Sequence, residues 1–96
     1  MSYTAPVKDM LFNMAHLARL DQIAQLPGFD DAGIETAQAV LEECAKFNQD
    51  VIAPLNWEGD KNPSSFANGE VKTTPGFKDA YQQYAEAGWQ GLQHPT

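Results

Sequence analysis

The chain has 96 residues, enough for one small domain whose core is thin for its surface. Six Lys and Arg against thirteen Asp and Glu leave a net charge of −7, which argues against nucleic acid or an anionic membrane surface as partner, since both demand clustered cations. One cysteine cannot close an internal disulfide, residues 1–6 have neither the basic nor the apolar region of a signal peptide, and no apolar run approaches the ~20 residues of a membrane span, so the expected setting is cytoplasmic.

Pro6 suits the first turn of a helix, where a missing N–H costs nothing, with Thr4 near the cap. Val7, Met10, Leu11, Met14, Leu17 and Ala18 follow at helical spacing and predict a helix over residues 6–18. A short helix or turn is expected over residues 20–26, capped by Asp21 and ended by Pro27-Gly28. Gly33 then serves as N-cap to a long helix. Its apolar positions are Ile34, Ala37, Val40, Leu41, Cys44, Phe47, Val51, Ile52 and Leu55, a one-sided stripe that needs flanking helices to cover it. Glu42 and Lys46 stand four apart, the spacing of a surface pair. Pro54 removes a backbone bond and predicts a kink or stop between Ile52 and Asn56.

Residues 56–74 keep no period and read as a long loop. Within it, Asn68-Gly69 suits a type I′ turn joining Phe66-Ala67 to Glu70-Val71-Lys72 in a very small hairpin. Thr74-Pro75 reads as the start of the last helix, whose face is Phe77, Ala80, Tyr81, Tyr84 and Ala85. Gly88 stops it, and Trp89 is placed to pack back. The fold class is all-α, a small bundle of about four helices with a long loop or tiny hairpin. The turn Gly88-Trp89-Gln90-Gly91-Leu92 is of a kind that leads into more protein, so the 96 residues read as the front of something larger.

The search for chemistry yields no catalytic, cofactor-binding or metal-binding set. Cys44 lies on the apolar stripe with no basic neighbour and reads as a buried small hydrophobe. His16 and His94 have no ligand-spaced partner, and His16 reads as a partly exposed helix residue. Glu42 and Glu43 are adjacent and point apart on a helix, so they cannot face each other as acid and base. Asp30 and Asp31 supply favourable charge near the start of the long helix. Gly88 and Gly91 follow a helix, whereas phosphate cradles precede one. Tyr81, Tyr84 and Trp89 form an aromatic cluster that fits core packing or a contact surface for further protein.

Three stretches together resemble the N-terminal end of a bacterial acyl-CoA dehydrogenase of the large, 3-methylmercaptopropionyl-CoA dehydrogenase-like subgroup. The first is Tyr3-Thr4-Ala5-Pro6-Val7-Lys8-Asp9-Met10 with Phe12, similar to that subgroup's short N-terminal extension. The second is Leu41-Glu42-Glu43-Cys44-Ala45-Lys46-Phe47, then Val51-Ile52-Ala53-Pro54-Leu55-Asn56 and Gly59-Asp60, similar to the family's first long helix. The third is Asn68-Gly69-Glu70-Val71, Pro75-Gly76-Phe77-Lys78 and Gly88-Trp89-Gln90-Gly91-Leu92. One departure is visible, Gly33-Ile34 where Thr-Pro or Ser-Pro often opens the helix; Cys44 stands where a small alanine is common, which suits a buried side chain.

The resemblance implies an enzyme several times this length, with residues 1–30 as an N-terminal extension and 31–96 as the start of its N-terminal helical domain. FAD would lie between a middle β-domain and a C-terminal helical domain, and a glutamate outside this chain would remove the α-proton of an acyl-CoA, giving a 2-enoyl-CoA. No catalytic or flavin-binding residue of that scheme maps onto residues 1–96. The fragment would be inactive alone and would cover the acyl pocket, its partners being the remaining domains, the acyl-CoA substrate and further copies in a homo-oligomer. A freestanding helical protein-interaction module and a small four-helix structural protein also satisfy the composition and spacing.

Overall fold

A computed structural model describes residues 2–95, and helix dominates it. The chain divides into two compact units, Met1–Asp50 and Val51–Thr96.

In the first unit, α1 spans Val7–His16. Pro6, not Thr4, is its N-cap, and no side chain caps it. The Val7 N–H instead reaches the Ala5 carbonyl at 2.9 Å and the Met10 N–H reaches Pro6 at 3.0 Å. Leu17 and Ala18 both donate to the Asn13 carbonyl, which closes the helix earlier than the apolar period suggests. The next helix, α2 (Leu20–Ile23), is a single turn entered through Arg19 at φ 55°. Asp21 does not cap it. It sits in the first turn with its carboxylate 3.9 Å from Arg19 Nε. Turns then carry the chain through Gly28, whose φ of 86° is the left-handed bend expected of Pro27-Gly28.

Helix α3 spans Ile34–Phe47 with Gly33 as N-cap, as its spacing predicts. The Gly33 carbonyl accepts the Ala37 N–H at 3.0 Å. Helix α1 packs on α3, and the Ala5 N–H donates to Gln49 Oε1 at 3.2 Å, which ties the arm before α1 down. The expected Glu42–Lys46 pair does not form. Gln38 Nε2 donates to Glu42 at 3.0 Å, and Lys46 turns to Glu43 at 3.7 Å. Both members of that ion pair are well exposed, so it adds little stability.

Pro54 does not stop the helix. A π-helical turn over Asn48–Ile52 precedes it, and α4 continues over Ala53–Lys61. Pro54 falls in the first turn of α4, where no N–H is required of it. The wider turn supplies the local adjustment that a proline inside a regular ladder would demand. Asn48 helps by donating its side-chain amide to the Cys44 carbonyl at 2.8 Å. Residues 56–61, read as loop from their lost period, are therefore helical. Their apolar period is weak because Gly59, Asp60 and Lys61 replace it.

In the second unit, α4 is followed by a hairpin of β1 (Ser65–Ala67) and β2 (Glu70–Lys72). The register pairs Phe66 with Val71 and Ala67 with Glu70. Asn68 and Gly69 have φ of 55° and 78°, the left-handed pair that a type I′ turn requires. Helix α5 spans Phe77–Glu86. Its N-cap is Gly76 rather than Thr74. The Thr74 hydroxyl donates to the Asn62 carbonyl at 2.7 Å and so joins the end of α4 to the approach of α5. Gly88 at φ 80° ends the helix as expected, and Trp89–Gly91 form a 3-10 turn that folds back on α5 with Trp89 half-buried.

Among the described residues only Thr74, 2% exposed, and Ala80, 4% exposed, are buried. The stripe of α3 is half-buried at Val40, Leu41, Cys44 and Phe47, not buried as its pattern predicts. Folded chains follow an area law that gives about 5,500 Å² for this mass, and about 6,600 Å² if each half of the chain folded separately. The molecule exposes 7820 Å².

Candidate functional site

An open groove in the second unit has a volume of about 840 Å³. It begins at Ile52, Leu55 and Asn56 and runs past Thr73 to Phe77, Lys78, Ala80, Tyr81 and Tyr84 of α5. Helical spacing explains why α5 delivers this lining: Phe77, Ala80, Tyr81 and Tyr84 fall at i, i+3, i+4 and i+7 and share one face. The wall at its base depends on two glycines. A Cβ on Gly59 would lie 3.1 Å from Phe77 Cζ, and one on Gly76 would lie 2.7 Å from Leu55 Cδ2. Gly76 also has φ of 94°. Tyr81 and Tyr84 stack with ring centroids 6.3 Å apart, and Tyr81 remains 72% exposed.

The residues singled out in the sequence do not converge. Cys44 is half-buried, not buried, and its Sγ accepts a 3.3 Å contact from Asn48 Nδ2. His16 is exposed, with its ring 4.7 Å from Phe12, and His94 is exposed on the last turn. Glu42 and Glu43 are exposed and occupied by Gln38 and Lys46. Asp30 and Asp31 precede Gly33 and lie outside the first turn of α3, where Glu35 supplies the charge. Gly88 and Gly91 shape the end of α5 and its 3-10 turn. Of the aromatic cluster, Tyr81 and Tyr84 line the groove and Trp89 does not. No group of three or more His, Cys, Asp or Glu among the described residues could hold a metal ion. A smaller recess in the first unit is lined by Ala15, His16, Arg19, Asp21 and Ile34, where the guanidinium is already set against Asp21.

Leu55 and Phe77 are the groove residues whose role sequence reasoning missed. The available signal was the pair of glycines, Gly59 and Gly76, each placed where a neighbouring side chain approaches the backbone. Trp57 was missed as well. It stands 62% exposed on α4 with Lys61 Nζ 5.6 Å from its ring centroid.

No family model matches the chain. It is 39% identical over all of its 96 residues to 3-methylmercaptopropionyl-CoA dehydrogenase of Ruegeria pomeroyi, covering 16% of that protein. It is 29% identical over 89 residues, 91% of its length, to the broad-specificity linear acyl-CoA dehydrogenase FadE5 of Mycobacterium tuberculosis, covering 15% of that one. Its homologues are acyl-CoA dehydrogenases. The chain spans about one sixth of the length of these curated relatives. The resemblance read from the three stretches is thereby borne out. Among the described residues no helix is long and apolar enough to cross a membrane.

Proposed function

We propose that the chain is the N-terminal helical part of an FAD-dependent acyl-CoA dehydrogenase that oxidises an acyl-CoA to a 2-enoyl-CoA, and that its own part is structural. The observation that carries this is the match over the whole chain to a 3-methylmercaptopropionyl-CoA dehydrogenase of which it covers only 16%. Residues 1–30 serve as the extension and 31–96 as the start of the N-terminal domain. The enzyme is cytoplasmic and homo-oligomeric, and this piece covers the acyl pocket.

The described residues do not fit a flavin. The groove lining is mostly apolar and aromatic, with Asn56 and Thr73 as its small polar residues and one cation, Lys78. The glycine that opens α5, Gly76, is packed against Leu55 rather than open to a pyrophosphate. The contacts to FAD therefore belong to the rest of the enzyme, and no step of the reaction is assigned to this chain. What it supplies is apolar surface and rigid helical geometry around a pocket that works best dry.

The test is the complete reading frame. Expressed whole, the protein is expected to purify yellow and to reduce an electron-accepting dye only when an acyl-CoA is added, while residues 1–96 alone are colourless and inactive. A reading frame that ends at Thr96, or stoichiometric flavin on the 96-residue chain, overturns the proposal. The former result would favour an interaction module.

A further inference from the structure

We propose that Asn68-Gly69, at the tip of the hairpin, is a site of spontaneous covalent modification, where Asn68 loses its side-chain amide through a cyclic imide and becomes a mixture of aspartate and isoaspartate. In the first step the Gly69 backbone nitrogen attacks Cγ of Asn68. The new C–N bond closes a five-membered ring, the Cγ–Nδ2 bond breaks, and the proton of the Gly69 nitrogen leaves with the amide nitrogen as ammonia. Water then opens the ring. Opening at Cγ leaves an aspartate in a normal chain. Opening at the Asn68 main-chain carbonyl leaves the chain running through Cγ, as an isoaspartate. Nothing is oxidised or reduced, and water is the only co-reactant.

The structure sets Asn68 apart from the other asparagines of the chain. Asn13 and Asn48 lie in helical turns, precede Met14 and Gln49, and donate their side-chain amides to the Asp9 and Cys44 carbonyls at 2.9 Å and 2.8 Å. Asn56 lies inside α4 and precedes the bulky Trp57. Asn62 donates to Glu58 at 3.2 Å and precedes Pro63, whose nitrogen has no proton to release. Asn68 is exposed, and the residue after it is a glycine. A Cβ built on Gly69 would meet nothing within 4 Å, so the space around this residue is open. The ladder pairs Ala67 with Glu70, and a β-turn's own bond joins its first and fourth residues, which leaves the Gly69 N–H out of it. In the closed turn Asn68 holds φ of 55°, and ring closure requires it to leave that conformation. Opening is cheap here. Each strand has three residues, all exposed, and a lone two-stranded hairpin is marginal in water. An isoaspartate then adds one backbone carbon to a two-residue turn that fixes the register of Phe66 with Val71, so that pairing is lost.

The experiment ages the folded polypeptide of the complete reading frame in mildly alkaline buffer, digests it in acid, and reads each asparagine peptide by mass spectrometry. Isoaspartate is counted separately with a methyltransferase that labels it. The peptide holding Asn68 is expected to gain about 1 Da at least roughly 10-fold faster than those holding Asn13, Asn48, Asn56 or Asn62, with isoaspartate in excess of aspartate. Gly69→Val crowds the attacking nitrogen with a branched side chain and is expected to slow the gain by roughly 10-fold, even though it also loosens the turn. Asn68 changing no faster than the other four overturns the proposal. So does aspartate without isoaspartate, which is the mark of direct attack by water on the side chain, or a Gly69→Val protein that ages as fast as its parent. None of these readouts uses dehydrogenase activity, so the proposal stands or falls apart from the functional reading.

Discussion

Gly76→Ala is the most informative single change in this chain. Gly76 caps α5 at φ 94°, where an L-residue with a Cβ costs about 1–2 kcal/mol. The new Cβ would also sit 2.7 Å from Leu55 Cδ2. That atom is the tip of a flexible side chain, so it can swing away at the cost of an off-rotamer angle, about 0.5–1.5 kcal/mol. The two effects together give about 1.5–3.5 kcal/mol, or roughly 10- to 400-fold in an opening equilibrium. The readout is amide exchange at Ala80, whose N–H donates to the Gly76 carbonyl at 3.0 Å. Its exchange should quicken by that factor, with α1 and α3 amides little changed. In a Leu55→Ala background the contact is gone and only the backbone cost remains, so Gly76→Ala should then quicken exchange several-fold less. Equal effects in both backgrounds would mean that Leu55 does not touch this turn. An effect under threefold in both would refute the cap itself.

Thr74→Val removes the hydroxyl that donates to Asn62, in a residue only 2% exposed. It should cost about 1–3 kcal/mol in urea unfolding, while Thr74→Ser should keep most of the stability. Val40→Asp puts a charge on the half-buried face of α3, and a loss of about 1–3 kcal/mol is expected in the same assay, since partial exposure lets water reach the carboxylate. Gly69→Val should abolish the cross-strand nuclear Overhauser contacts of Phe66 with Val71, because position 69 needs φ of 78°. It should leave overall stability within about 0.5 kcal/mol, since both strands are exposed throughout.

Local signals in the sequence were read correctly where they are self-contained. Asn68-Gly69 specifies its turn without help from any other part of the chain, and Gly33 and Gly88 bound their helices for the same reason. Errors arose where a local rule met a second constraint. Thr74-Pro75 has the form of a helix cap, but the Asn62 carbonyl claims the hydroxyl, and Gly76 takes the cap. Pro54 reads as a kink or a stop; the regular α-helical ladder does give way before it, but through a π turn at Asn48–Ile52, after which helix continues as α4. Helical spacing gave the α5 side of the groove, but not its other side, because that depends on Leu55 meeting Gly76 and Phe77 meeting Gly59, contacts between residues some twenty positions apart that no period encodes.

Burial patterns mislead for a related reason. The stripe from Ile34 to Leu55 predicts a core, and the structure leaves it half-buried at best. An apolar face in a sequence records what a residue will meet in the finished protein, not what lies within any one stretch of it. Here the elements are held by specific ties: Ala5 to Gln49 in the first unit, Thr74 to Asn62 in the second, and the fit of Gly76 against Leu55. Such ties set geometry, but each adds only about 0.5–1.5 kcal/mol. The large favourable term in folding is apolar area taken from water, at about 25 cal/mol per Å². With Trp57, Phe66, Val71, Tyr81 and Leu92 all facing water, much of that term is still unspent in these residues. These ties fix the geometry of each unit, while the larger apolar contribution stays limited by the exposed side chains.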